Sequence, residues 1–450
     1  MKAAFWEKIK QRTKVWREVI LPAAFLIGLV VLVRLTGFLE VQELMAFDDL
    51  MRLRISIPSV PRIVIVGINE ADLNSVGSLP IPDRELAKML KILQDSQPRV
   101  IGLNLFRDLP VNPGHADLVQ AFRDMPNIIG VEVGLNCAQT RNLNVKPPPE
   151  LPPERVGFAD FLVDRDGKLR RSLLASPNCN KQLKYSFPLR LAQTYLAAQE
   201  ITLKPIKSVS NPIQFGSVKV PRLRSNWGGY IGVDDRGYQS LLNFCAGIKP
   251  FKTISLTDIL KKNFKPEDIR DRIVIVGMTA ASIKDTFITA AVKNTQVSVI
   301  SNNENSPNQI IYGVEVHAHA TGQIIRAVLD KRPLMKVWAW EWEYLWIILW
   351  GVLGVTIGLF LQSPWKTILS IGCASLILVG ICYLFLFVGL WIPLIPALLT
   401  LSGAGLITAF FDRDLRFLVE QRRLTIEHTY DAVHNGPLQQ LAVILRSTGE

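Results

Sequence analysis

The sequence is poor in the residues that announce a metalloprotein or a disulfide scaffold. Its 450 residues include five cysteines and five histidines. Cys137, Cys179, Cys245, Cys373 and Cys382 form no C-x-x-C pair and show no zinc-ligand spacing, which argues against a structural zinc site and a small stapled fold. Cys373 and Cys382 fall in a long apolar run, where cysteine is an ordinary small apolar residue. Among Cys137, Cys179 and Cys245 one disulfide can form, and the sequence selects no pair. The region between the apolar runs also lacks a P-loop, a dinucleotide fingerprint and a nucleophile paired with a base, so it reads as a binder, not a catalyst. A basic excess exists, 51 Lys and Arg against 39 Asp and Glu for a net charge of +12. No stripe interleaves it with aromatics, however, and nucleic acid is not an expected partner. No metal and no cofactor is expected within this chain.

What is present is apolar and segregated. The 49 % hydrophobic content and mean hydropathy of +0.23 are high for a soluble protein. Val19 to Leu39 is an apolar run broken only by Arg34, long enough to cross a bilayer. Gly37 to Val41 offers no small-residue cleavage site, so an uncleaved anchor is expected, with Arg34 snorkelling outward. Three further spans are expected over 344–361, 367–388 and 390–411. Trp338, Trp340, Trp342, Tyr344 and Trp346 supply the aromatic belt of a water–lipid boundary. Lys2 to Arg17 precede the first run, and Arg413, Arg416, Arg422 and Arg423 follow the last. By the positive-inside rule, residues 1–18 and 412–450 are expected in the cytoplasm and 40–343 outside the plasma (inner) membrane, with lipid as a partner.

The 40–343 region is large enough for its own core and reads as α/β with a largely parallel sheet. Ile63 to Ile68 is a β-branched run expected to be buried on both faces. Leu86, Met89, Leu90 and Leu93 give a helical stripe after Pro82-Asp83, and Val100 to Leu105 is the next strand. That spacing predicts a parallel βαβ unit. A helix over 116–123 and strands over 127–133 and 271–277 follow. Pro147 to Pro153 is a loop, Asp164-Arg165-Asp166-Gly167 a hairpin turn in preference to a calcium loop, and Asn302 to Asn308 a polar insertion. If the stretch around His317 and His319 is helical, two positions apart means about 200° apart, and shared metal ligation fails.

Several of these segments carry a resemblance: Phe47-Asp48, Ile63 to Asn69, Pro80 and Pro82 before Arg84, Val100 to Phe106, Val156-Gly157-Phe158, Asp164-x-Asp166-Gly167-x-x-Arg170, Ile273 to Gly277, and Gly313-Val314-Glu315-Val316-His317-Ala318. Their order and spacing resemble the CHASE2 extracellular sensory domain of bacterial receptors, whose plan has four membrane spans. In that family the first two strands usually end in Asp, whereas Asn69 and Asn104 stand here. Ligands of parallel sheets bind outside the carboxyl ends of strands, which makes Asn69 and Asn104 candidate ligand contacts. An amide can hydrogen-bond, yet it brings no charge for a cation. Glu70 is the candidate replacement carboxylate.

Beyond Phe411 the chain runs polar and free of Gly and Pro to Asn435, as a transmission helix would. Val433, Pro437, Leu441 and Ile444 then lie on one face, with His434 at its flank. The segment resembles the phosphoacceptor box of sensor histidine kinases. The resemblance makes His434 the acceptor and Gln439 the residue that orients water for dephosphorylation, while Asn435 replaces the usual acidic neighbour. It implies a homodimer, a response regulator as partner, an unidentified extracytoplasmic ligand, and ATP with Mg only for a catalytic domain outside this chain. An Asn-rich box and a Gly-rich ATP lid are absent from the residues after His434. A non-catalytic receptor signalling through a coiled coil and a receptor cyclase are the alternatives.

Overall fold

The computed structural model describes residues 20–54, 60–133, 145–178, 180–245, 250–289, 309–361 and 363–435. The chain divides into two units, one of Leu44–Trp338 with Leu384–Ile392, the other of the apolar helices up to Glu43, Ala339–Tyr383 and the chain from Pro393.

The first unit is built on a six-stranded sheet, every neighbouring pair parallel. Its order is Lys252–Ser255, Ile63–Ile68, Ile273–Met278, Val100–Asn104, Ile128–Glu132, Val156–Phe158. Alternation assigns each side chain to a face. Ile63, Ile65, Ile273 and Ile275 pack with Leu189, Leu191, Val314 and Ile324 from the helices Phe187–Ala197 and Gly313–Leu329. Val64, Val66, Val274 and Val276 pack on the opposite face with Leu86, Met89, Leu118, Phe122 and Ile259, from the helices Asp83–Asp95, His115–Asp124 and Leu256–Leu260. The result is a three-layer α/β sandwich, and it explains why the two central strands are apolar at every position. The sequence pattern placed strand, helix, strand correctly. The strands Ile63–Ile68 and Val100–Asn104 are nevertheless not neighbours, because Ile273–Met278 pairs with both.

A smaller antiparallel sheet joins Tyr238–Leu241, Leu169–Pro177 and Leu162–Val163, and Leu183–Tyr185 also pairs with the middle strand. The Asp164 to Gly167 turn closes its hairpin, with the Gly167 N–H donating to the Asp164 carbonyl at 2.9 Å.

In the second unit the apolar helices differ in their ends from the sequence reading. The first helix is Leu21–Leu35, and after a bend of 86° the chain continues as Glu40–Leu53, which from Leu44 on belongs to the first unit. The next two are Trp340–Phe360 and Pro364–Phe387. The fourth run does not become helical at Leu390. Leu390–Trp391 belongs to the first unit, where it pairs in parallel with Lys336–Val337 and Trp391 packs on Phe47 at 4.5 Å, and the helix starts at Ile395, after Pro393. By length and composition three of the described helices can cross a membrane, and a fourth if the bent pair counts as one span. Arg34 also departs from expectation. It is 4 % exposed and bonds Glu343, which is fully buried, with its guanidinium over the Tyr344 ring. An apolar surrounding makes an ion pair with a nearby carboxylate preferable to a lone charge, and no spacing rule links residues so far apart in sequence.

Candidate functional site

The carboxyl edge of the parallel sheet gathers the three candidate ligand contacts, and the local structure gives each a different role. Asn69 follows the Ile63–Ile68 strand and is the N-cap of a short helix, Glu70–Val76. Its Oδ1 accepts the Asp72 N–H at 3.0 Å, and its own N–H donates to Asp72 Oδ2 at 3.0 Å. Asp72, itself buried, also accepts the N–H groups of Leu256 and Thr257, so the cap ties two helix N-termini together. Asn is as good an N-cap as Asp. Glu70 is exposed, and its Oε1 accepts the Ser282 N–H at 2.7 Å, which holds the carboxyl below its ordinary range. Asn104 closes its strand half-buried beside Gly277, and among the described residues its amide makes no hydrogen bond. Of the three, Asn104 keeps its hydrogen-bonding capacity open.

Two acids to which the sequence reading assigns no site role, Asp285 and the motif residue Glu315, stand near the same edge. Val314 lies against Gly277, so the helix Gly313–Leu329 begins there. A Cβ added at Gly313 would meet both carboxylate oxygens of Asp285 at 2.6 Å, which places that carboxylate at the helix N-terminus, where the macrodipole favours an anion. Burial raises the Asp285 carboxyl above its ordinary range; it also raises Glu315, against the opposing hydrogen bond from the Tyr312 N–H. Tyr312, three residues before Glu315, is not a usual capping residue, so no capping pattern marked these acids in the sequence.

The motif residues Asp48, Asp164, Asp166 and Arg170 converge on one buried cluster. Arg170 donates through Nε and Nη2 to Asp48 at 2.8 and 2.7 Å, through Nη1 to Asp164 at 2.9 Å, and through Nη2 to Asp166 at 2.6 Å. Arg171 Nε reaches Asp164 at 2.8 Å, Lys168 Nζ reaches Asp48 at 2.9 Å, and the Tyr230 hydroxyl donates to Asp164 at 2.9 Å. Burial alone would depress the Arg170 pKa, but the hydrogen bonds to Asp48 and Asp166 outweigh it and the group is raised. The Tyr230 phenol is pushed up by burial and by Asp164. These carboxylates are occupied by guanidinium and ammonium partners, in agreement with a turn and not a calcium loop. The cluster pins the helix Glu40–Leu53, through Asp48, to the antiparallel sheet.

His317 and His319 lie in the helix Gly313–Leu329 and face different surroundings. The first stacks on Phe161 at 4.6 Å and meets Phe187 edge-on. The second sits between Phe244 and Phe251, and its Nδ1 accepts the Cys245 N–H at 3.3 Å. Burial lowers both imidazoles to about 3. Cys245 is a buried free thiol; Cys137 and Cys179 lie outside the described residues. His434 and Asn435 belong to the helix Ile395–Asn435, and Gln439 lies outside the described residues.

An α/β unit with a parallel sheet, flanked in sequence by apolar helices, is therefore on hand. The family model for the CHASE2 domain matches residues 25–356. The chain belongs to the CHASE2 family. CHASE2 is an extracellular sensor domain of signalling receptors, and the match takes in most of the first apolar helix, the whole parallel sheet and most of the helix Trp340–Phe360. No curated protein and no solved structure matches the chain. Within this CHASE2 domain, Asp48 and Arg170 of the motif are structural partners, while Asn104 remains a ligand candidate.

Proposed function

We propose that this chain is the sensing and membrane half of a two-component sensor histidine kinase. The CHASE2 domain outside the membrane receives a ligand, and the helix that leaves the last apolar span carries the signal to His434. The observation that supports this reading is the continuity of the helix Ile395–Asn435, which runs without a break from apolar sequence into exposed polar sequence and takes in His434. In this reading both termini are cytoplasmic, the protein is a homodimer, and a response regulator accepts the phosphoryl group. His434 is the nucleophile, since a neutral imidazole is nucleophilic near physiological pH. Gln439 orients water for the reverse step, and Asn104 contacts the ligand at the strand edge. ATP and Mg serve the catalytic domain that delivers the phosphoryl group.

The test joins residues 1–450 to the remaining dimerisation helix and ATP domain of a sensor kinase and supplies labelled ATP in membranes. Acid-labile label on the fusion, lost in His434→Gln, is the expected result. Equal labelling with Gln at 434 would overturn the acceptor assignment and favour the coiled-coil receptor. A reporter fused at Asn226 should read as extracytoplasmic, and one fused after Glu450 as cytoplasmic.

A further inference from the structure

The sensor unit contains a cavity of about 240 Å³ far in character from the strand edge. Its polar lining is Arg54, Asn243, Gln323, Arg326 and Arg332, and among the described residues no acidic one borders it. Gln323 and Arg326 stand one turn apart on the helix Gly313–Leu329 and are 3 % and 6 % exposed. Arg332 is exposed, as is Phe387, and these two mark the mouth.

The hydrogen bonds of the lining point to a ligand of one charge. Gln323 Oε1 accepts the Asn243 N–H at 2.8 Å, which fixes the amide so that Nε2 is left over, and that nitrogen is buried without a partner. Arg326 spends Nε on the Gly322 carbonyl at 3.3 Å, while its Nη1 is likewise buried without a partner. Two buried donors, one of them cationic, therefore remain open in a cavity that holds two further guanidinium groups. A cation is repelled from such a lining. A neutral molecule would leave the charge uncompensated. A group with several acceptor oxygens and a negative charge satisfies both donors, and guanidinium groups pair best with carboxylate or phosphate.

We propose that this cavity binds a small oxyanion, a phosphate or carboxylate group held by Arg326 and Gln323 at the floor and Arg332 at the mouth. Its volume is equivalent to roughly eight waters, enough for the anionic group and a few further atoms, and below the size of usual drug-like pockets. The oxyanion can come from a free solute or from a phospholipid headgroup. That its occupancy is the sensed input rests on the receptor reading above; that it binds an oxyanion does not.

The test uses the full chain. In detergent, millimolar inorganic phosphate at matched ionic strength should raise the melting temperature relative to chloride. Arg332→Gln, at an exposed position and so neutral for folding, should weaken phosphate binding about tenfold or more, the usual effect of losing a charge-assisted contact. Arg326→Gln should weaken it further. In a second arm, the chain is placed in nanodiscs of phosphatidylcholine with and without phosphatidic acid. Stabilisation by phosphatidic acid alone, lost in Arg332→Gln, assigns the headgroup as source; stabilisation by phosphate, equally lost, assigns a free anion. If neither probe gives a shift that depends on Arg332 or Arg326, the proposal is overturned. His434 labelling is unaffected by that failure, so the two readings fail separately.

Discussion

At the level of single residues, burial decides which titratable groups carry pH dependence. Arg170 is buried, and its hydrogen bonds to Asp48 and Asp166 outweigh the cost of burial and raise its pKa, so it stays a cation. His317 differs: the structure gives its Nε2 no partner, and its folded pKa is lowered to about 3 by burial. The unfolded chain binds a proton near pH 6.5, whereas the folded chain does not until far lower. Stability from a buried neutral imidazole is therefore complete above pH 6.5. It falls as the pH drops through the window from 6.5 to about 3, by up to ~1.4 kcal/mol per pH unit for each such histidine. Denaturant unfolding of the full chain in detergent at pH 7.5 and pH 5 should show lower stability at pH 5. His317→Leu, which keeps the apolar contacts with Phe161 and Phe187, should remove about half of that difference, leaving the share of His319. An unchanged difference would mean that other groups set the acid sensitivity.

Among elements, what the sequence made legible follows from periodicity, and what it hid follows from distance. The runs at Ile63 and Ile273 declare buried parallel strands, and the stripe from Leu86 to Leu93 declares a helix, because alternation and 3.6-residue spacing are local properties. Strand order is not local: nothing near Ile273 says that it enters between two strands far earlier in the chain. The same holds for the site. Asn69 and Glu70 were visible as strand-end polar residues, but capping and a backbone acceptor role emerge only with the helix Glu70–Val76 and the Ser282 N–H in place. Arg326 and Gln323 were hidden inside an ordinary amphipathic stretch. Gly157 illustrates a contact that only the fold can reveal. A Cβ there would stand 2.5 Å from Phe187 Cα and 2.6 Å from its N, and helix backbone cannot move aside as a side chain can. Gly157→Ala should therefore cost about 1 to 3 kcal/mol, the usual range for overpacking. Chemical denaturation of the full chain gives the measure. A neutral Gly157→Ala would show that the strand Val156–Phe158 and the helix Phe187–Ala197 separate easily.

For the whole molecule, the receptor reading demands that a stimulus outside be felt at His434, and the last helix is the element that can carry it. At 1.5 Å per residue its 41 residues extend about 60 Å, roughly twice the hydrocarbon thickness of a bilayer. Its polar part is not uniformly polar. Phe417, Leu424, Ile426 and Tyr430 are exposed large apolar side chains, Ile426 at 69 %. Val419, Ile426 and Val433 recur at seven-residue intervals, and Leu415 lies four residues before Val419. An apolar seam of that period on an isolated helix is stabilised by a second copy wound around it, as in a parallel coiled coil. In a dimer of identical chains, equivalent seam residues face each other across the axis, whereas positions two residues on point away by about 200°. Single cysteines at Val419 and Ile426, in a background where the native cysteines are replaced, should accordingly crosslink between chains in membranes under mild oxidation. Cysteines at Gln421 and His428 should not. Crosslinking at all four positions alike would mean random collision, and none at Val419 or Ile426 would remove the coiled-coil dimer from both the kinase and the non-catalytic receptor readings.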